Sequence, residues 1–241
     1  MNKNIIYLIK YDSEEDHDAV FEYTFPFIES YADRHKADLK VIRPKLRGNG
    51  KWFGYHTLIH PYFSKLEAVI DFNNSSYEKM LYLDYDIFIN NDEHNIFELV
   101  NDGFAAAEVH EPKLNKLYNR WYLSNFNSRN QIPIINGGLL LFAGKENTLL
   151  LHDMLESELK RFTSEHSYHL RRIGCQPIGI HDQPVFTYFI EKSKMNFTLL
   201  PSKWNKRYYN ASKSDYFVHY THDAKNIIGT EVDKFLKKCI Q

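Results

Sequence analysis

The chain has 241 residues, 43% of them hydrophobic, and 30 basic against 31 acidic side chains leave a formal charge of −1. That length and apolar content suit one large α/β domain with a single core, and the near-neutral balance offers no basic face of the kind that nucleic-acid binding needs. With only two cysteines, Cys175 and Cys239, a disulfide framework and a cysteine-based zinc site are excluded, and a reducing, cytoplasmic setting is expected.

The apolar run Ile5–Ile9 is too short for a signal peptide or a membrane span and reads as a first buried strand. Tyr11-Asp12-Ser13 follows as a polar turn where a nucleotide base or ribose could rest. Helical spacing then runs from Asp16 to Asp38, with Pro26 predicting a kink or a break. Leu39–Ile42 reads as a second strand, and Arg43–Gly54, rich in Gly, Pro and basic residues, as a loop. Pro61 is placed to begin a helix burying Tyr62, Phe63, Leu66, Val69 and Ile70. The next strand starts the stretch Lys79–Ile89 and ends in the two carboxylates Asp84 and Asp86. The early chain thus alternates strand and helix as a parallel-sheet nucleotide domain does.

Phe104–Ala107 reads as a short strand. Tyr118, Trp121, Tyr122 and Phe126 have helical spacing, and this aromatic stretch either packs inward or forms a platform on which sugar rings stack; inward packing is the favoured reading. Ile132–Phe142 predicts a strand entered through Asn136-Gly137-Gly138, where backbone approaches something closely. Helices are expected over Asn147–Phe162 and Gln183–Ile190, irregular chain over His166–Ile180, and a short strand over Phe197–Leu200. The Asn-x-Ser/Thr triplets beginning at Asn73, Asn74, Asn196 and Asn210 are assigned no role without a secretory signal. From Glu231 to Gln241, apolar Val232, Phe235, Leu236 and Ile240 alternate with lysines, which predicts a C-terminal helix packed on the core, with peripheral membrane contact as the second reading.

The chemistry starts from Asp84 and Asp86. In an open α/β sheet, ligands bind beyond the carboxyl ends of strands, and a hard divalent cation needs oxygen ligands at a fixed separation. Asp-x-Asp at a strand end suits a cation that carries a diphosphate, although an aspartate there is also a common turn former. The order of Phe63-Ser64-Lys65-Leu66, Tyr82-Leu83-Asp84-Tyr85-Asp86, Asn136-Gly137-Gly138, Asp182-Gln183 and His219 to Lys225 resembles glycosyltransferase family 8. These are retaining enzymes with the GT-A nucleotide-sugar fold, a mixed, mostly parallel central sheet flanked by helices.

The resemblance implies a nucleotide-binding half over residues 1–107, an acceptor and catalytic half over 108–230 and the C-terminal helix over 231–241. It implies Mn²⁺, with Mg²⁺ as the other option, held by Asp84, Asp86 and His219; one imidazole and two carboxylates favour the former. It also implies that Tyr11, Asp12, Lys65, Tyr85, Asn136, Gly137, Gly138, His222 and Lys225 contact the donor, and that Asp182 and Gln183 flank the reacting sugar carbon. Lys65 stands where the family has Arg, keeping the charge but losing the planar fork. His222 stands where the family has Gly, and Asn226-Ile227 where it has Pro-Trp.

The expected activity is transfer of a hexose from a nucleoside diphosphate sugar, UDP above all, to a glycan or glycolipid acceptor. Four alternatives to parts of this reading stay open at sequence level. Asp182 as a base would make the enzyme inverting, and the altered Lys65 and His222 positions would suit a non-catalytic sugar-nucleotide or glycan-binding protein. Asp84 and Asp86 alone would serve a phosphohydrolase, and Asp182 as a helix cap would have no catalytic role.

Overall fold

The computed structural model describes residues 2–10, 15–43, 65–90, 92–109, 112–126, 132–149 and 182–219. In chain order these form β1 (Asn4–Ile9), α1 (Glu15–Arg34), β2 (Ala37–Ile42), α2 (Lys65–Asn73), β3 (Lys79–Leu83), β4 (Ile87–Ile89), β5 (Gly103–Glu108), α3 (Pro112–Phe126), β6 (Ile135–Ala143), α4 (Asp182–Ser193), β7 (Phe197–Leu199), β8 (Lys206–Arg207) and β9 (Phe217–His219). The six-stranded sheet has the order β2-β1-β3-β6-β5-β7, and a small sheet has the order β4-β9-β8. In the large sheet β1 runs parallel to both neighbours and β7 parallel to β5, whereas β6 is antiparallel to β3 and β5.

Strand β1 is apolar from Ile5 to Ile9 because both of its faces are covered there. Ile5, Tyr7 and Ile9 join one core with Leu66 and Phe72 of α2, Tyr118 and Tyr122 of α3, and Phe186 and Phe189 of α4. Ile6 and Leu8 point the other way, into a core with Ile28 and Tyr31 of α1, Ile87 of β4 and Phe217 of β9. A period-two strand can serve two cores at once only if every residue is apolar. Helices α2, α3 and α4 therefore cover one face of the sheet, and α1 with the small sheet covers the other.

Helix α1 continues through Pro26 without breaking. Pro26 and Glu22 are both exposed, so the Glu22 carbonyl that loses its donor is left on a turn open to water. The helix stops four residues sooner than expected, because Lys36 takes a left-handed conformation (φ 52°) that ends the helical run, and β2 begins at Ala37. The aromatic stretch packs inward at Tyr118 and Tyr122. Helix α4 runs from Asp182 to Ser193, and residues 145–149 are helical. The expected starts at Pro61, the helix beyond residue 149, the irregular 166–180 stretch and the C-terminal helix lie outside the described residues.

The apolar run Lys79–Ile89 is not one strand. It leaves the large sheet at Leu83 and re-enters structure at Ile87 in the small sheet, with a turn at Asp84 to Asp86 closed by Ile87 N–H donating to the Asp84 carbonyl at 3.1 Å. Ile87, Phe88 and Ile89 pair with His219, Val218 and Phe217 instead of with β6. Both halves of the run are buried, so hydrophobicity alone does not reveal the turn between them.

Among the described residues no helix is long and apolar enough to cross a membrane. Phe142 of β6 is fully buried and packs its ring 4.6 Å from Phe104 across the β5–β6 ladder. Phe142→Ala is expected to cost about 3–5 kcal/mol, read as a lower denaturation midpoint in urea with an unchanged slope.

Candidate metal centre

The two carboxylates and the histidine converge where the large sheet hands the chain to the small one. Asp84 lies one residue beyond β3, and its N–H extends the ladder by donating to the Gly138 carbonyl of β6 at 2.8 Å. Asp86 lies just before β4, and His219 ends β9 opposite Ile87. His219 Nε2 stands 3.2 Å from Asp86 Oδ1 and 3.8 Å from Asp84 Oδ2. One ligand atom from each of the three residues lies within 4.8 Å of the others, and the 3.2 and 3.8 Å distances from His219 fall inside the roughly 4.4 Å that two ligands coordinated at about 2.2 Å can span.

Two further features fit a cation. Asp86 Oδ1 is buried, with the His219 ring nitrogen 3.2 Å away, and its remaining lone pair is open to a cation. A Cβ on Gly138 would lie 2.5 Å from His219 Cε1 and 2.7 Å from Asp84 Oδ2. Glycine there lets the β6 backbone back directly onto the cluster.

The electrostatics of the cluster without a cation are unfavourable to two carboxylates. Desolvation pushes the Asp84 carboxyl above its ordinary range and the neighbouring Asp86 adds to this, while Lys65, His219 and a 2.7 Å hydrogen bond from the Tyr82 hydroxyl oppose it. Burial disfavours the charged His219 ring, but the Asp86 carboxylate, its hydrogen bond and Asp84 outweigh that penalty and hold the imidazole above its usual 6.5. A divalent ion relieves both conditions by replacing a proton with a stronger positive charge.

Around this centre stand several of the other sequence-expected residues. Lys65, 5% exposed, donates from Nζ to the Gly137 carbonyl at 2.8 Å and lies 5.1 Å from the centre of the Tyr82 ring. It thus anchors the backbone of the Asn136-Gly137-Gly138 stretch. Asn136 Oδ1 accepts from Gly138 N–H at 2.8 Å, and the Asn136-Gly137-Gly138 stretch lies within β6, which starts at Ile135, rather than at its entrance. Tyr85 is the middle residue of the Asp84–Asp86 turn. Gln183 lies in the first turn of α4, and its Oε1 is buried with no hydrogen-bond partner. Asp182 is the first residue of the same helix. Tyr11, Asp12, His222 and Lys225 lie outside the described residues.

Three supporting residues carried no sequence signal. The buried Thr24 hydroxyl of α1 donates to the Tyr85 carbonyl at 2.5 Å and so holds the Asp-x-Asp turn against the helix. Thr187, also buried, accepts from Ile135 N–H at 3.1 Å and donates to the Gln183 carbonyl at 2.8 Å, tying the start of α4 to the start of β6. Asn205 Oδ1 faces His219 Nδ1 at 3.1 Å. Each contact joins residues on elements far apart in the chain, or turns on a single hydroxyl, so neither period nor motif spacing marks it.

Solved structures share this architecture over nearly the whole chain. A glycosyltransferase involved in glycosylation of the major capsid of PBCV-1 superposes with a TM-score of 0.60 at 13% identity, covering 95% of this chain and 99% of that one. The chain has the GT-A glycosyltransferase fold. The galactosyltransferase LgtC in complex with donor and acceptor sugar analogs shares the GT-A fold at a TM-score of 0.58 and 12% identity, over 98% of this chain and 95% of that one. Mouse xyloside xylosyltransferase 1 shares it at 0.52 and 14%, over 91% and 98%. No protein-family model matches the chain, and no curated protein matches it in sequence.

Two outcomes are expected from this geometry. Gly138→Ala, which drives a methyl group into His219 and Asp84, should abolish the rise in melting temperature that a divalent cation gives the parent protein; at a hundredfold excess over Kd that rise corresponds to about 2.7 kcal/mol. Cation binding must also expel the proton from the His219 ring, whose pKa is raised. Titration of Mn²⁺ should therefore release protons and give tighter binding at about pH 8 than at about pH 6, while the cation-free fold loses the stability of its imidazolium–carboxylate contacts across the same rise.

Proposed function

We propose that the chain is a glycosyltransferase dependent on a divalent cation, moving a hexose from a nucleoside diphosphate sugar to a glycan or glycolipid acceptor. UDP is the proposed nucleotide, Mn²⁺ the proposed cation and retention the proposed outcome. The observation that carries the reading is the meeting of Asp84, Asp86 and His219 beside Gly138 at the carboxyl end of β3, within a fold whose solved examples include a galactosyltransferase and a xylosyltransferase.

When bound, a cation at this cluster supplies the positive charge that stabilises a departing diphosphate. The chain's own residues would do the rest. Gly137 and Gly138 leave room for the donor ring, and Lys65 keeps their backbone in place by holding the Gly137 carbonyl. Gln183 Oε1, buried and without a donor, would present its partial negative charge where positive charge grows on the anomeric carbon. The solved structures include LgtC with a glutamine-to-glutamate change in its active site, which supports placing a glutamine there. Asp182, Asn136 and Tyr85 would contact sugar hydroxyls and the nucleotide. From the sequence, Tyr11 and Asp12 would meet the base or ribose, and His222 and Lys225 the diphosphate. The leaving phosphate can take the acceptor's proton in a same-face substitution, so this reading calls for no strong protein base.

Asp86→Ala should abolish cation-dependent binding of UDP in calorimetric titration, and unchanged binding would remove Asp86 from the site. Gln183→Ala should leave donor affinity within a few-fold while lowering kcat by about a hundredfold to a thousandfold. Donor and acceptor specificity are read by incubating the protein with UDP-hexoses, Mn²⁺ and an oligosaccharide panel, following UDP release and the anomeric configuration of the product by NMR. Binding of UDP-sugar without UDP release on any acceptor would turn the assignment to a binding protein, and formation of sugar phosphate with UMP would turn it to a phosphohydrolase.

A further inference from the structure

The small sheet does more than deliver His219. Asn205 closes a short 3₁₀ turn, Ser202–Trp204, with its N–H bonded to the Ser202 carbonyl at 3.1 Å. Trp204 sinks that turn into the core against Tyr216 and Phe217, with ring centres 4.6 and 5.3 Å away, and Tyr216 N–H donates to the Lys203 carbonyl at 2.7 Å. Strand β8 then runs alongside β9, placing Arg207 opposite His219. Asn205 is consequently only 2% exposed and held by its neighbours on both sides, with its Oδ1 aimed at His219 Nδ1 at 3.1 Å.

We propose that Asn205 is the positioning residue of the cation site: its side-chain oxygen accepts the Nδ1 proton of His219 and thereby keeps the Nε2 lone pair directed at Asp84, Asp86 and the ion between them. This deepens the proposed function and rests on the cation reading made there. A neutral imidazole carries one proton on either nitrogen, and only the nitrogen without it can ligate a metal. An acceptor fixed at Nδ1 selects the tautomer with Nε2 bare and also sets the plane of the ring. Rotating the amide would bring Nδ2 against Nδ1 and shift the ring proton to Nε2, where it would occupy the lone pair that the cation needs. The cost of the observed arrangement is visible in the same side chain, because Asn205 Nδ2 is buried without a partner. A packed apolar residue would avoid that cost, so the amide carries a stability penalty that its oxygen's contact with His219 accounts for.

The test uses the full chain and Mn²⁺ alone, with affinity read from the electron paramagnetic resonance signal of free Mn²⁺ and folding from the melting temperature in chelator. Asn205→Leu removes the acceptor at similar volume, and Asn205→Asp keeps an oxygen at the same reach. The expected result is a ten- to hundredfold weaker Mn²⁺ affinity for Asn205→Leu, with Asn205→Asp binding as tightly as the parent or tighter. Parent-like affinity in a folded Asn205→Leu overturns the proposal, and so does an equal loss in both variants, which would mark Asn205 as a packing residue only. If Asn205→Leu fails to fold, Asn205→Asp decides through the His219 ring in ¹⁵N-resolved NMR with Mg²⁺: a proton on Nδ1 supports the proposal and a proton on Nε2 overturns it. Absence of Mn²⁺ binding by the parent chain overturns the cation reading itself, a result distinct from binding that is indifferent to Asn205.

Discussion

The hydrogen bond from Asp84 N–H to the Gly138 carbonyl is the contact on which the rest of the site depends. It is the last rung of the β3–β6 ladder, and it fixes where the large sheet stops and the acidic turn begins. One residue earlier the backbone is committed to the large sheet; three residues later it is committed to the small one. The pair of aspartates therefore occupies a three-residue stretch between two rigid ladders, and Thr24 reaches across from α1 to hold the intervening carbonyl. Rigid elements on both sides give the carboxylates a defined separation, which a loop of the same composition would not.

That geometry concentrates negative charge in a partly desolvated place. Two carboxylates, one with its pKa pushed up, and an imidazole drawn towards protonation form a cluster whose charge a positive ion would balance. The fold tolerates the cost because the burden is local and the two cores flanking β1 are apolar and continuous. Stability at one end of the sheet thus supports an unfavourable arrangement at the other, the usual pattern at functional sites.

Much of the fold was legible in the chain because its strongest signals are local. Ile5–Ile9 could serve only a strand covered on both faces, Tyr118 and Tyr122 had the spacing of a buried helix face, and Asp84 with Asp86 stood at a strand end. The errors came where a non-local contact decided the outcome. The strand that ends at the two carboxylates was legible, but the partner of Ile87–Ile89, a segment about 130 residues further on, was not, because no periodicity in the run records it. Helix α1 ended early because Lys36 adopts a left-handed conformation without being glycine or asparagine, the residues that would have signalled it. Pro26 forecast a kink or a break, and the helix continues through it with that turn exposed.

By itself, the sequence determined the residue types of the candidate centre: two carboxylates one residue apart, a distant histidine, a glycine pair after an asparagine and a glutamine at the start of a helix. It also determined that the chain is α/β, since apolar period and run length are local properties. Only the tertiary structure decided that His219 faces Asp86, that Lys65 holds the Gly137 backbone, that Gly138 leaves the room in which Asp84 and His219 meet, and that Asn205 stands behind the imidazole. The physical reason is that coordination and second-sphere contacts are set by distances of a few ångströms between residues far apart in the chain. Those distances are fixed by strand order and register across two sheets, which arise from the packing of all their neighbours together.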